Sequence, residues 1–102
     1  MHIVELLLPL KRANGTRIPR NLFQAIVAEL KERHGGLTAH TRAPATGLWE
    51  APDGRTDLDD IIIIEVMVDA LDEEWWNKYR SDLETRLEQE EVVVRAHVIR
   101  RL

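Results

Sequence analysis

The chain has 102 residues, of which 44% are hydrophobic and 31% charged, a balance that predicts one soluble folded domain and excludes a disordered chain. Its 18 acidic residues outnumber its 14 basic ones, giving a formal net charge of −4. This argues against nucleic acid as the main partner, because phosphate binding needs clustered cations.

The chain contains no cysteine, which excludes disulfides and cysteine-bearing metal sites. Its apolar N-terminus does not resemble a secretion signal, since Glu5 interrupts it and no basic segment precedes it. The longest apolar run, residues 61–64, is far shorter than the ~20 residues that cross a membrane. We therefore expect a cytoplasmic protein with no membrane partner.

A strand and a helix open the chain. Residues 2–8 are β-prone and precede Pro9, which cannot donate to a ladder. A helix is predicted over about 19–34, with Pro19 in its first turn and Gly35 just past its end. Its apolar stripe consists of Leu22, Phe23, Ile26, Val27 and Leu30.

The next segment, "HGGLTAHTRAPATGLWEAPDG", is rich in chemical side chains, yet its pattern is that of two strands and their turns. Residues 37–42 and 46–50 are extended on either side of a bulge at Pro44. The turn "APDGRTD" then leads into the strongest strand, 58–69. Together these segments predict a long bent hairpin whose first arm is an edge strand.

A second helix and a last strand complete the chain. Asp72 is the expected helix cap, and the inner stripe is Trp76, Tyr79, Leu83 and Leu87. Residues 91–102 then follow period two. The order β-α-β-β-α-β predicts one α+β domain over 1–102, a ferredoxin-like plait with an antiparallel sheet and both helices on one face.

The strand phases predict two apolar sheet faces. The face expected under the helices carries Val4, Leu6, Leu8, Ile62, Ile64, Val66, Val68, Val92, Val94, Ala96 and Val98. The other face carries seven apolar residues: Ile3, Leu7, Ile61, Ile63, Met67, Val93 and Ile99. Because an exposed apolar patch usually marks a partner, we expect these seven to form a homodimer interface, sheet on sheet.

Four polar residues interrupt that second face: Glu5, Glu65, Arg95 and His97. One hypothesis is a Glu–Arg pair with a hydrogen-bonded His inside the dimer interface, since buried charges persist only when paired. The other is a small-molecule site with Glu65 or Glu5 as general base, His97 as its partner and Arg95 binding an anionic group.

A second candidate site is a basic loop before the first helix. Lys11, Arg12, Arg17 and Arg20 surround a helix N-terminus, whose free N–H groups attract anions, so anion binding is possible beside a simple solvated loop. The four His show no metal-ligand spacing, and we expect no metal and no cofactor.

The string "ELLLPL…GGLTAHTRAPATGLW…EVMV…WWNKYRSDLETRLEQEEVVVRA" resembles a group of small uncharacterised bacterial proteins over nearly the whole chain. This implies a bacterial single-domain plait and no particular activity. In layout the chain is similar to dimeric α+β barrel proteins, which include cofactor-free monooxygenases and isomerases. We thus expect a homodimeric binding or interaction module, with a cofactor-free small-molecule enzyme as the alternative.

Overall fold

Four strands form one antiparallel sheet in the order β2-β3-β1-β4. The computed structural model describes the backbone of residues 1–35, 38–50 and 56–102, and the side chains of residues 1–35 and 61–102. The elements are β1 (His2–Pro9), α1 (Arg20–His34), β2 (Thr38–Glu50), β3 (Thr56–Val68), α2 (Glu73–Arg86) and β4 (Val93–Val98). This order of elements and strands confirms the predicted ferredoxin-like plait.

Strand β1 lies in the interior of the sheet, between β3 and β4. Its alternate residues Val4, Leu6 and Leu8 are buried, and they share one core with alternate residues of β3 and with both helices. Burying one such side chain contributes about 1.5–3 kcal/mol. The core consists of Val4, Leu6, Leu8, Ile18, Phe23, Ile26, Leu30, Ile62, Ile64, Val66, Val68, Trp76, Leu83, Leu87 and Val92.

The last strand departs from the predicted burial. Val92 is buried and Val94 packs against the core, but Ala96 is exposed and Val98 is 74% exposed. The prediction that Ala96 and Val98 lie under the helices is therefore wrong. Strand alternation places both residues on the helix side of the sheet, yet neither helix covers them, since their side chains are exposed. Strand β4 is also shorter than the predicted 91–102.

The hairpin of β2 and β3 has the predicted irregularity. The register of the two strands shifts between His40 and Ala45, which brackets Pro44 and confirms the bulge on the outer arm. The side chains of β2 lie outside the described residues. The turn predicted at "APDGRTD" also lies outside them, except for the backbone of its last two residues, Thr56 and Asp57.

The end of α1 and the start of α2 have the capping residues that the sequence predicts. Gly35 adopts φ 79°, and its N–H donates to the Lys31 carbonyl at 2.8 Å, which closes α1 with a left-handed residue. Asp72 caps α2, since its carboxylate accepts a hydrogen bond from the Trp75 N–H at 3.1 Å. These two termini lie at the same end of the molecule.

We expect Gly35→Ala to destabilise the fold by about 1–2 kcal/mol, because an L side chain is strained at positive φ. Among the described residues, no atom lies within 4 Å of the added Cβ, so we attribute the loss to backbone strain. Urea denaturation measures it. Gly35→Asn is the control and should lose less, since Asn tolerates this conformation; equal losses would contradict the explanation.

Candidate functional site

The polar residues of the second sheet face converge as predicted. Glu5 stands opposite Glu65 in the β1–β3 ladder and opposite Arg95 in the β1–β4 ladder. The Arg95 Nε donates a hydrogen bond to Glu5 Oε1 at 3.1 Å. His97 Nδ1 lies 3.7 Å from the same oxygen. Glu5 is thus the centre of the cluster.

The structure shows which of the two glutamates forms the ion pair with Arg95. The ion-pair partner of Arg95 is Glu5, whereas Glu65 also lines the neighbouring cleft. The Glu5 side chain is 18% exposed, and those of Arg95 and His97 are 57% exposed. Since one side of the pair is open to solvent, it contributes about 0–1 kcal/mol. The geometry contains the predicted Glu–Arg pair, while a catalytic role for these four residues stays a prediction.

Apolar side chains surround this cluster on a face that bears neither helix. Met67 and Val93 are 45% and 44% exposed. The other predicted interface residues, Ile3, Leu7, Ile61, Ile63 and Ile99, are half-buried within the single chain. The face therefore offers a mostly apolar surface with a charged group at its middle.

An open cleft of about 660 Å³ lies at one end of the sheet. Strands β1 and β3 contribute its apolar floor with Ile3, Met67 and Val68. Glu65 and Asp69 supply carboxylates to it. Both helix termini form its walls, and its remaining lining residues are Met1, Arg33, His34, Gly35, Ala70, Asp72, Trp75, Trp76 and Arg101.

Aromatic rings join the two helices at this cleft. The His34 ring stacks on Trp76 with centroids 5.0 Å apart and meets the Trp75 ring edge-on at 5.0 Å. Tyr79 stacks on Trp75 at 4.9 Å. The guanidinium of Arg33 lies 5.1 Å from the centroid of Trp75, a cation–π contact. These stacked and edge-on ring contacts hold the end of α1 against the start of α2 along one wall of the cleft.

The environment of His34 disfavours the charged form of its ring. Burial lowers its pKa below the usual range, and the nearby charge of Arg33 lowers it further. Its Nε2 is buried and has no hydrogen-bond partner among the described residues. Protonation would place a charge in the wall of the cleft.

A group of hydrogen bonds forms a second contact between the helices, farther along α2. The Arg86 guanidinium donates two hydrogen bonds of 2.8 Å to the carboxylate of Glu29, and the Tyr79 hydroxyl donates to it at 3.0 Å. The hydrogen bond from Arg86 lowers the pKa of Glu29. Burial, followed by the charge of Glu29, raises the pKa of Tyr79. The bidentate pair fixes α2 against α1.

One cation of the predicted anion site already has an acidic partner within the chain. Arg12 forms an ion pair with Glu88 and donates to the Arg17 carbonyl at 3.3 Å, while Lys11 bridges Arg17 through the backbone. Arg20 is exposed at the start of α1, whose cap, Pro19, provides no side-chain hydrogen bond. Anion binding by these residues stays a prediction, with less free positive charge than the sequence implies.

No protein-family model matches this chain, and no curated protein does. Solved structures with the same fold include a phage SAM lyase in complex with S-methyl-5'-thioadenosine, at a TM-score of 0.64, and a phage SAM lyase in the apo state, at 0.62. Each covers 94% of this chain, which in turn spans 79% and 78% of theirs. Both are 14% identical to it, so the likeness shows the fold alone.

The cleft was not predicted from the sequence. In the sequence, His34 is the last residue of the first predicted helix, and Trp76 belongs to the apolar stripe of the second. Nothing in their spacing shows that the two helix termini meet. The topology alone could have indicated the cleft, because in a plait the end of α1 and the start of α2 lie over the same end of the sheet.

None of the described helices is long and apolar enough to cross a membrane.

We expect His34 to make the fold less stable in acid. Because its folded pKa is lowered, its contribution to stability is complete above the unfolded pKa of about 6.5 and is lost as pH falls through the folded pKa. His34→Phe keeps a ring on Trp76 and removes the titration. Guanidinium unfolding at neutral and mildly acidic pH should show a smaller loss in the variant than in the wild type. Equal losses would contradict this account.

Proposed function

We propose that this chain is a binding module that holds a small molecule in the cleft at the end of its sheet. The single observation that carries the proposal is the cleft of about 660 Å³, which falls within the 300–1,000 Å³ typical of ligand pockets. Its floor and walls come from the ends of β1, α1, β3 and α2, and aromatic contacts join the two helices beside it.

The lining favours a ligand of mixed character. Ile3, Met67 and Val68 offer an apolar floor, whereas Glu65 and Asp69 offer hydrogen-bond acceptors beside it. Such a combination suits a molecule with a flat or apolar body and several polar groups. It gives less support to a simple inorganic ion, which needs converging charges and no apolar floor.

The phage SAM lyase structure supplies a first probe. The molecule bound there, S-methyl-5'-thioadenosine, has a flat base, a polar sugar and an apolar methylthio group, as its name states. These features match the mixed lining of the cleft. The shared fold at 14% identity makes the nucleoside a reasonable test ligand, and the proposal for this chain depends on its own cleft.

We expect S-methyl-5'-thioadenosine to bind the wild type in isothermal titration calorimetry. Met67→Trp should weaken binding by about tenfold or more, because an indole would fill the cleft. Val93→Trp is the matched control, since Val93 is equally exposed on the same sheet face but does not line the cleft. Absence of binding to the wild type would contradict a nucleoside ligand, and equal weakening in both variants would contradict the location.

Self-association is a second candidate function, favoured by the apolar surface around Glu5. We propose that a second copy covers this face, sheet on sheet, as the sequence predicts. Met67 and Val93 would become buried, at about 1.5–3 kcal/mol for each fully covered side chain. The Glu5–Arg95 pair would lie at the centre, where its charges are already compensated.

Met67→Asp should halve the particle mass relative to the wild type, because it places a charge in the covered face. Met67 is 45% exposed in the single chain, so the fold itself should persist, which circular dichroism checks. Asn77→Asp adds the same charge on an exposed position of α2 and should leave the mass unchanged. Light scattering measures each mass in multiples of the 11.8 kDa chain, and a monomeric wild type would contradict the interface.

A further inference from the structure

Strand β4 is an outer strand of the sheet, and in the described chain it pairs with β1 alone. The Ile99 N–H donates to the Met1 carbonyl at 3.0 Å, in phase with the pairing of His97 with Ile3 and of Arg95 with Glu5. The N–H and C=O of one residue in an antiparallel strand point to the same side, and the side alternates along the strand. The backbone groups of Val94, Ala96 and Val98 therefore point away from β1.

This edge lacks two of the features that usually block pairing, proline and bulges. Natural edge strands also use short length and charged side chains, and β4 has six residues and carries one arginine, Arg95. No proline occurs from 93 to 102, and β4 pairs with β1 in continuous register. Two of its apolar side chains, Val93 and Val98, are 44% and 74% exposed, one on each face of the sheet. The open edge thus has unpaired backbone groups and apolar side chains on both sides.

We propose that β4 pairs antiparallel with β4 of a second copy of this chain, with Ala96 on the two-fold axis, so that two four-stranded sheets join into one of eight strands. The axis is perpendicular to the sheet, the arrangement that relates neighbouring antiparallel strands and closes a dimer. Its backbone hydrogen bonds form along the edge of β4, outside the cleft.

The side chains select this register. About Ala96, Val94 stands opposite the partner's Val98 and Val93 opposite the partner's Ile99, so apolar residues meet on both faces. A register centred on Arg95 would set two guanidiniums directly opposite each other, which is unfavourable. One centred on His97 would place Val94 opposite the partner's Arg100. The His97 register would give Val98 only Ala96 as its apolar neighbour, whereas the Ala96 register gives it the larger Val94 and sets Arg95 opposite the partner's His97.

The uncovered end of β4 also has room for a second strand. Helix α2 is tied to α1 through His34 and Arg86, and it leaves Ala96 and Val98 exposed on the helix side of the sheet. A partner strand can therefore approach this edge without displacing a helix. The small side chain of Ala96 suits the axis, where two identical residues face each other.

Cysteine cross-linking tests the register, since the chain has no cysteine of its own. In a hydrogen-bonded antiparallel pair, the two Cα atoms at the axis lie about 5.5 Å apart, within the range that a disulfide spans. Ala96→Cys should form a disulfide dimer under mild oxidation. Val94→Cys is the control on the same strand, because its copies would be about 14 Å apart. A yield for Ala96→Cys no higher than for Val94→Cys overturns the proposal.

A proline variant tests the backbone pairing. Ala96→Pro removes an N–H that points away from β1, so the single chain should fold, as proline is tolerated on the outer side of edge strands. Its particle mass by light scattering should be half that of the wild type, whereas Ala96→Val should keep the wild-type mass. Unchanged mass for Ala96→Pro, or a monomeric wild type, overturns the proposal even if the edge binds an added peptide.

The edge contact and the sheet-face contact are separable by experiment. Met67 lies on β3, two strands away from the β4 edge, so Met67→Asp removes the face contact and leaves the edge contact in place. Ala96→Pro removes the edge contact alone. If both contacts form and their two-fold axes intersect at right angles, the wild type is a tetramer and each variant a dimer. If the face contact fails, the Ala96 variants still report on the edge.

Discussion

The position of β1 between β3 and β4 is the constraint on which the rest of the structure depends. Its side chains alternate between a buried row and an outer row with Glu5 in the middle. Because β1 is paired on both sides, its register also fixes which residues of β3 and β4 stand beside Glu5. The core, the polar cluster and the floor of the cleft are three consequences of this one alternation.

The contacts between the helices have a separate effect. His34 with Trp76 and Glu29 with Arg86 hold α2 against α1 at two points, and the first of these builds the wall of the cleft. Neither helix covers the end of β4 at Val98, which stays exposed. The packing of the helices on the sheet thus leaves both a pocket and an open edge. The two candidate surfaces differ in chemistry, since the pocket mixes carboxylates with apolar groups and the edge offers backbone.

Much of the fold followed from local patterns. Period two in β1 and β3, an apolar stripe with Gly35 at its end, and Asp72 before the second stripe each predicted an element whose bounds agree within two residues at most termini. The bulge at Pro44 was predictable because proline cannot donate to a ladder. The predicted burial failed at Ala96 and Val98, since alternation shows which side a residue faces and not whether a helix reaches it.

The sequence by itself determined the α+β plait, the apolar character of both sheet faces, and the convergence of Glu5, Glu65 and Arg95, because strand period and strand order are encoded locally. Tertiary structure alone decided that Arg95 pairs with Glu5, that His34 packs on Trp76, and that the cleft lies between the helix ends. These features depend on distances between side chains far apart in the chain. Such distances are set by how helices settle on a sheet, and no local pattern contains them.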